Sequence, residues 1–368
     1  MQSWPDQRLL DLLDLEIPII QAPMAGCDST ALVKSVSSSG ALGSLACALL
    51  SPDGVLEAAS AIRGETDRPF NLNFFCHTME APDPAAREVW KRFLKSHYER
   101  LGLDIEAVAD SRLRLPFNEA MCEVVEEIRP AVVSFHFGLP SADLVDRLKT
   151  RCIRVLGSAT SVKEARWLED RGCDAVIAQG SEAGGHRAMF LEKNVSAQVG
   201  LFALLPQVAD AVSVPVIAAG GIADARGVVA AFALGAAGVQ LGTAYLFCPE
   251  ANVSPIYRMA LGQAPDTGTA VTNLFSGRPA RGILNLYLEE SGPMAAAALA
   301  FPYAATMVAP LRAASEKAGV LDYMQLWAGQ AARLGRAMPA ERLTRTLASE
   351  ALSQLHLAGA TERKKFTP

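Results

Sequence analysis

Residues 180–188 read GSEAGGHRA: three glycines and one histidine, His186, directly after the apolar run CDAVIAQ at 173–179. Imidazole is the side chain whose unperturbed pKa lies nearest neutrality. At this point in a chain it can serve as a base, or as a cation facing an anionic substrate. Glycines ahead of it let backbone pass close to a ligand without a Cβ in the way. A plain turn carrying a rim histidine is the competing reading. Two more glycine sites follow similar runs: AAGGIAD at 218–224, with Gly220 and Gly221 just before a helix starting near Asp224, and QLGT at 240–243. Backbone N–H groups at such a turn, with a helix N-terminus behind them, form a phosphate site.

Amides form a second set. Asn71 and Asn73 alternate along one run, so both side chains share a face, and Gln179 and Gln240 close two others. Neutral amides match the donor–acceptor edge of a heterocycle without adding charge. Four of them around a phosphate site point to flavin mononucleotide (FMN). His136, in SFHFG, has an inward option, and His77 follows its strand at the rim. Cys47, Cys76 and Cys248 lie near run ends, but none stands beside a histidine, and buried thiols are common in cores. No histidine pair at i, i+4 and no Asp/Glu cluster calls for a metal.

These residues need a scaffold. Eight apolar runs, at 17–24, 41–47, 70–76, 131–137, 152–160, 174–180, 214–222 and 237–246, alternate with helical segments. Near-continuous apolar strands alternating with helices predict a parallel sheet covered by helices, and eight units predict a (β/α)8 TIM barrel, an α/β fold. An open doubly wound sheet would carry its GxGxxG after the first strand, and QAPMAG has none. In such barrels the site lies at the C-terminal strand ends, with phosphate at strands seven and eight. That rule collects Gln21, Pro23, Met24, Asn71, Asn73, His136, Ser158, Thr160, Gln179 to His186, Gly220, Gly221 and Gln240 to Thr243. The expected organisation is a barrel over 1–250 with a helical insertion at about 81–130. A C-terminal helical segment, 251–368, is expected to cover the barrel mouth, with its last residues disordered.

The chain has 368 residues, half of them hydrophobic and a fifth charged, which allows a sizeable core. A net charge of −5 offers nothing to nucleic acid, and no apolar run is long enough for a membrane span. Seven unclustered cysteines fit reduced thiols, so a cytoplasmic protein is expected, compatible with a homodimer.

Taken together, QAPMAG, NLNFFCH, SFHFG, EAGGHR, AAGGIAD, QLGT, VTNLFSGRPARGILN and YMQLWAGQ resemble the nitronate monooxygenases, formerly 2-nitropropane dioxygenases, in their histidine-containing class. The resemblance spans roughly residues 17–330. It implies non-covalent FMN and no metal, with Asn73, Gln179, Gly184, Gly221, Gln240, Leu241, Gly242 and Thr243 at cofactor positions and Met24 against the ring. His186 matches the catalytic histidine. Such enzymes oxidise alkyl nitronates, propionate 3-nitronate favoured, with O2 to a carbonyl compound and nitrite through a flavin semiquinone. Cys27, where the first loop commonly has a second glycine, and Ala188, where glycine usually follows HR, depart from the pattern and bear on substrate fit. An NAD(P)H-dependent reductase of quinones or enoyl thioesters on the same barrel is the alternative activity. A flavin-binding sensor without turnover would need an output domain that the sequence does not show.

Overall fold

The computed structural model describes residues 3–80, 83–108 and 113–365, with side chains through 357. Its strands are β1 (Ile19–Gln21), β2 (Gly43–Ala46), β3 (Phe70–Phe75), β4 (Val132–His136), β5 (Arg154–Ala159), β6 (Ala175–Gln179), β7 (Gly185–His186), β8 (Val216–Ala219), β9 (Gly238–Leu241), β10 (Thr269–Thr272) and β11 (Ala280–Ile283). Eight of them form one parallel sheet in the order β1-β9-β8-β6-β5-β4-β3-β2. The sheet closes where Gln21 N–H donates to Leu42 O at 2.9 Å and Leu42 N–H to Ile19 O at 3.0 Å. This is a (β/α)8 barrel. Strands such as β3 and β6 are buried along their whole length because helices cover one face and the barrel interior fills the other.

The helices start where side chains cap them. Ser29, Ser51, Asn118, Ser161 and Asp224 each accept a backbone N–H from the first turn of the helix that follows. Helix Glu119–Ile128 packs between helices Pro52–Arg63 and Ala142–Thr150, in the ring position after β3. Its charged composition conceals a buried stripe of Cys122, Val124, Val125 and Ile128. The excursion after β3 therefore ends near Phe117, short of the 130 expected. Its helix, Pro84–Arg100, packs on helix Ala304–Ala318 around a second apolar cluster that includes Trp90, Leu94, Tyr98, Met307 and Leu311.

Helix Ala340–Lys365 differs from the expected cover over the mouth. It lies against helices Ala225–Ala233 and Thr30–Ser38 and so takes the eighth place in the ring, burying Leu343, Leu347, Ala348 and Ala351. The barrel frame is completed from the far end of the chain rather than at residue 250. The disordered end expected there falls in part on 366–368, outside the described residues. No described helix is long and apolar enough to cross a membrane.

Candidate functional site

At the C-terminal ends of the barrel strands lies a cavity of about 610 Å³. Its wall includes Pro23, Met24, Asn73, His136, Ser158, Gln179, Gly184, His186, Gly220, Gly221, Gln240, Gly242 and Thr243. Residues separated by more than 200 positions thus meet in one space. Other strand-end candidates do not reach it. Leu241 is 1% exposed and packs in the core, so only its backbone faces the neighbouring chain, accepting Ala22 N–H at 2.8 Å. Gln21 accepts Ser44 N–H across the barrel seam at 2.8 Å. Asn71 donates inside the barrel to Ser44 Oγ and Ser134 Oγ, and Thr160 donates to Glu164.

The histidine loop is held at several points. β7 pairs antiparallel with β11, Ala280 opposite His186, and β11 pairs in turn with β10. The carbonyl of His186 accepts from Gln179 Nε2 at 3.0 Å and from His136 Nε2 at 3.1 Å. Gln179 Oε1 accepts Ala188 N–H at 2.9 Å, so both ends of this amide hold the loop. Arg187, fully buried, sends its guanidinium to the carbonyls of Gly180 and Gln179 at 2.8 and 2.9 Å and to Gln198 Oε1 at 2.9 Å. Glu164, also fully buried, accepts Thr160 N–H and the N–H groups of Phe190 and Leu191 beyond the loop. At Gly184 a Cβ would come within 2.6 Å of the Ala328 carbonyl carbon and Gly329 N, so here glycine serves a crossing of two backbones. Gln330 N–H donates to Glu182 O at 3.0 Å and Gly329 N–H to Thr243 Oγ1 at 3.0 Å, fastening that crossing.

The imidazole of His186 sits among Phe75, Phe137, Phe301 and Trp327, with ring centroids 5.5–5.9 Å away. Burial holds its pKa well below the ordinary histidine value, and the charge of Arg114 works in the same direction. The ring is therefore neutral at neutral pH. Burial likewise takes His136 down to about 3 and His77 to about 4. Nε2 of His186 lies 2.9 Å from Ser276 Oγ. Nδ1 has no protein partner and is not among the sealed, unpartnered atoms of the described residues, so it opens on the cavity.

The glycine turns leave room. Gly220 and Gly221 have φ of +115° and +69°, a region that disfavours side chains. The N–H groups of Gly221 and Ile222 donate to no acceptor among the described residues. Asp224 already accepts the N–H groups of Arg226 and Gly227, so the helix behind the turn contributes little beyond its first residues. A Cβ on Gly242 would make only ordinary contact, 3.5 Å from Ala22 Cβ and 3.9 Å from Met24 Sδ. Gln240 Oε1 is sealed from solvent and has no donor.

Positive charge comes from arginines that the sequence did not single out. Arg114 and Arg312 both line the cavity, and each guanidinium is kept below its usual range, mainly by burial. Arg312 Nε is buried without a partner, and Glu316 stands 4.0 Å from its Nη2. Arg278 stacks over Phe137 at 3.8 Å and donates to Met189 O. Ser276 and Arg278 lie in the SGRP stretch and Trp327 in LWAG, but nothing local in those stretches says that they come back to the histidine. No group of three or more His, Cys, Asp or Glu side chains among the described residues could hold a metal ion.

The nitronate monooxygenase family model matches residues 6–350. A nitronate monooxygenase of Paraburkholderia phytofirmans is 42% identical over 94% of both chains. One of Pseudomonas aeruginosa is 41% identical, over 93% of this chain and 98% of its own. The crystal structure of a nitroalkane oxidase from Streptomyces ansochromogenes superposes with a TM-score of 0.86 at 37% identity, covering 95% of this chain and 99% of that one. The chain is an oxidoreductase and belongs to the nitronate monooxygenase family.

Proposed function

We propose that the protein binds FMN in this cavity and uses it to oxidise small alkyl nitronates with O2 to a carbonyl compound and nitrite. The observation that carries the reading is one cavity that joins unfilled hydrogen-bonding groups to a neutral imidazole with an open nitrogen. Gln240 Oε1 lacks a donor, and a flavin ring supplies one at N3–H. The unpaired N–H groups of Gly221 and Ile222 suit phosphate oxygens, and Gly242 leaves space where a side chain would intrude. Asn73, Gly184, Gln240 and Thr243 would complete the cofactor site, with Met24 against the ring. Gln179 acts through the loop it holds. The bound flavin would supply electron exchange with the nitronate and with O2.

This chain's own residues then hold the organic anion and manage its proton. Arg114 and Arg312 give a carboxylate a place within the same cavity as His186, which supports a doubly anionic substrate such as propionate 3-nitronate. Neutral His186 does not act as a resting cation; it accepts a proton from the carbon of a neutral nitroalkane, or a hydrogen bond from the O–H of a protonated nitronate. The aromatic wall surrounds the imidazole with apolar rings, which favours its neutral form.

The test is anaerobic mixing of the yellow enzyme with propionate 3-nitronate and, separately, with NADH. Prompt loss of oxidised-flavin absorbance with the nitronate alone is expected. Prompt loss with NADH and none with the nitronate would replace this reading by the reductase.

A further inference from the structure

We infer that Ser276 is a positioning residue that fixes the ring proton of His186 on Nε2 and so leaves Nδ1 bare toward the cavity. A serine hydroxyl has one proton to give and two lone pairs to receive. Arg278 N–H points at Ser276 Oγ from 3.3 Å and takes one lone pair. The carbonyl of Arg278, which can only accept, lies 3.2 Å from the same oxygen and has no other donor among the described residues. The hydroxyl proton belongs to that carbonyl. What remains at Oγ is a lone pair, and the atom 2.9 Å away is His186 Nε2, which must carry hydrogen. Turning the hydroxyl to Nε2 instead would strip the Arg278 carbonyl of its donor, a cost that the first arrangement avoids. The tautomer follows from the network of partners.

The serine cannot drift from this place. Gly277 has φ +85°, and a Cβ there would lie 2.0 Å from Leu299 O, so only glycine makes the turn. Gly277 N–H donates to Asn273 O at 2.8 Å and Arg187 N–H to Pro279 O at 2.8 Å. One residue past Pro279 the chain enters β11, whose Ala280 is registered opposite His186. The strand that carries the imidazole and the turn that carries its hydroxyl partner are one piece of sheet. Ser276 is 1% exposed and does not line the cavity, so it acts through His186 and not on the substrate.

The chemical consequence is specific. With Nδ1 bare, the proton on the carbon bearing a nitro group moves to Nδ1. The C–H electron pair becomes the C=N bond, and the negative charge goes to the nitro oxygens. Nε2–H still donates to Ser276 throughout. A preformed nitronate has already lost that proton and does not need the arrangement. The role in turnover rests on the function proposed above, but the position of the proton is measured without turnover.

The experiment is 15N NMR of the flavin-loaded enzyme labelled in histidine, with the His186→Asn variant assigning its signals among the five histidines. A protonated-type Nε2 and a bare-type Nδ1 for His186 are expected. The reverse pattern in the unmutated enzyme overturns the inference and needs no variant to fold. In Ser276→Ala the two nitrogens should move toward averaged values, with kcat/KM on a neutral nitroalkane down about 10- to 100-fold. That is less than loss of the base itself, and nitronate turnover should fall much less. Ser276→Thr, which keeps the hydroxyl, should restore the wild-type pattern. Unchanged nitrogen signals in Ser276→Ala, or equal losses on both substrates, overturn it. An unmutated enzyme with the expected tautomer but no nitronate turnover would leave the inference standing and remove the proposed function.

Discussion

Gln179 holds His186 by its backbone: the side-chain N–H of Gln179 donates to the His186 carbonyl at 3.0 Å, and its oxygen receives Ala188 N–H at 2.9 Å. The amide bridges the residue that carries the imidazole and the second residue beyond it. In Gln179→Leu the buried Ala188 N–H loses its partner, a destabilisation of about 1–3 kcal/mol, while the His186 carbonyl keeps the bond from His136 Nε2. Turnover should fall more than flavin affinity. Thermal unfolding and flavin titration of the same preparation check both. Loss of flavin with an intact loop would place Gln179 on the cofactor itself.

Gly221→Val tests the phosphate turn. Its φ of +69° opposes any β-branched residue, and the side chain would crowd the free N–H groups. FMN content after purification should collapse while far-ultraviolet circular dichroism stays that of the barrel. Normal FMN content would put the phosphate elsewhere.

His186→Asn keeps size and hydrogen bonding but not basicity. FMN should stay bound. Activity on neutral nitroalkanes should drop about 10²–10⁴-fold, with a smaller drop on preformed nitronates. Steady-state rates on the two substrate types give the answer, and equal retention of both would leave His186 a rim residue.

Arg312→Met removes one charge from the acidic-substrate end. KM for propionate 3-nitronate should rise by about 10-fold or more, the loss of a charge-assisted hydrogen bond of about 1.5–3 kcal/mol, with ethyl nitronate little affected. Parallel KM changes for both substrates would place the carboxylate away from Arg312.

Stability should be acid-sensitive. His136, His77 and His186 have folded pKa values below those of the unfolded chain, so the unfolded chain binds their protons first as pH falls below about 6.5. Asp28, raised to about 7 by burial, works the other way by holding a proton in the fold. His97 is lowered as well, so four histidines outweigh that one carboxylate and stability falls as pH drops from roughly 6.5 to 4.5. Urea midpoints across pH 4.5–7.5 measure it. A flat profile would mean that these rings are solvated in the fold.

The barrel was readable because eight apolar runs with polar ends repeat along the chain, and the rule about strand ends then selected most of the cavity wall. It failed where a strand end turns away, as at Leu241, or ties its neighbour, as at Gln21. Arg187 follows His186 directly, yet its buried role depends on two carbonyls left open at the end of β6, which no local pattern reveals. Arg114, Ser276 and Arg312 reach the site or its histidine only through long excursions. Helices Glu119–Ile128 and Ala340–Lys365 take ring positions set by the helices beside them, which their own sequence does not display.

The late arrival of the eighth ring helix has a consequence for synthesis. The last barrel strand is complete at Leu241, and helix Ala340–Lys365 emerges about 100 residues later. At the usual pace of translation, about 5–20 residues per second, the apolar seam between helices Ala225–Ala233 and Thr30–Ser38 stays open for about 5–20 seconds. In that interval the nascent chain builds the cavity's outer wall, including Tyr257, Arg312 and Trp327, before the frame is sealed. A ribosome-bound chaperone would meet a barrel with its site nearly finished and one stave missing.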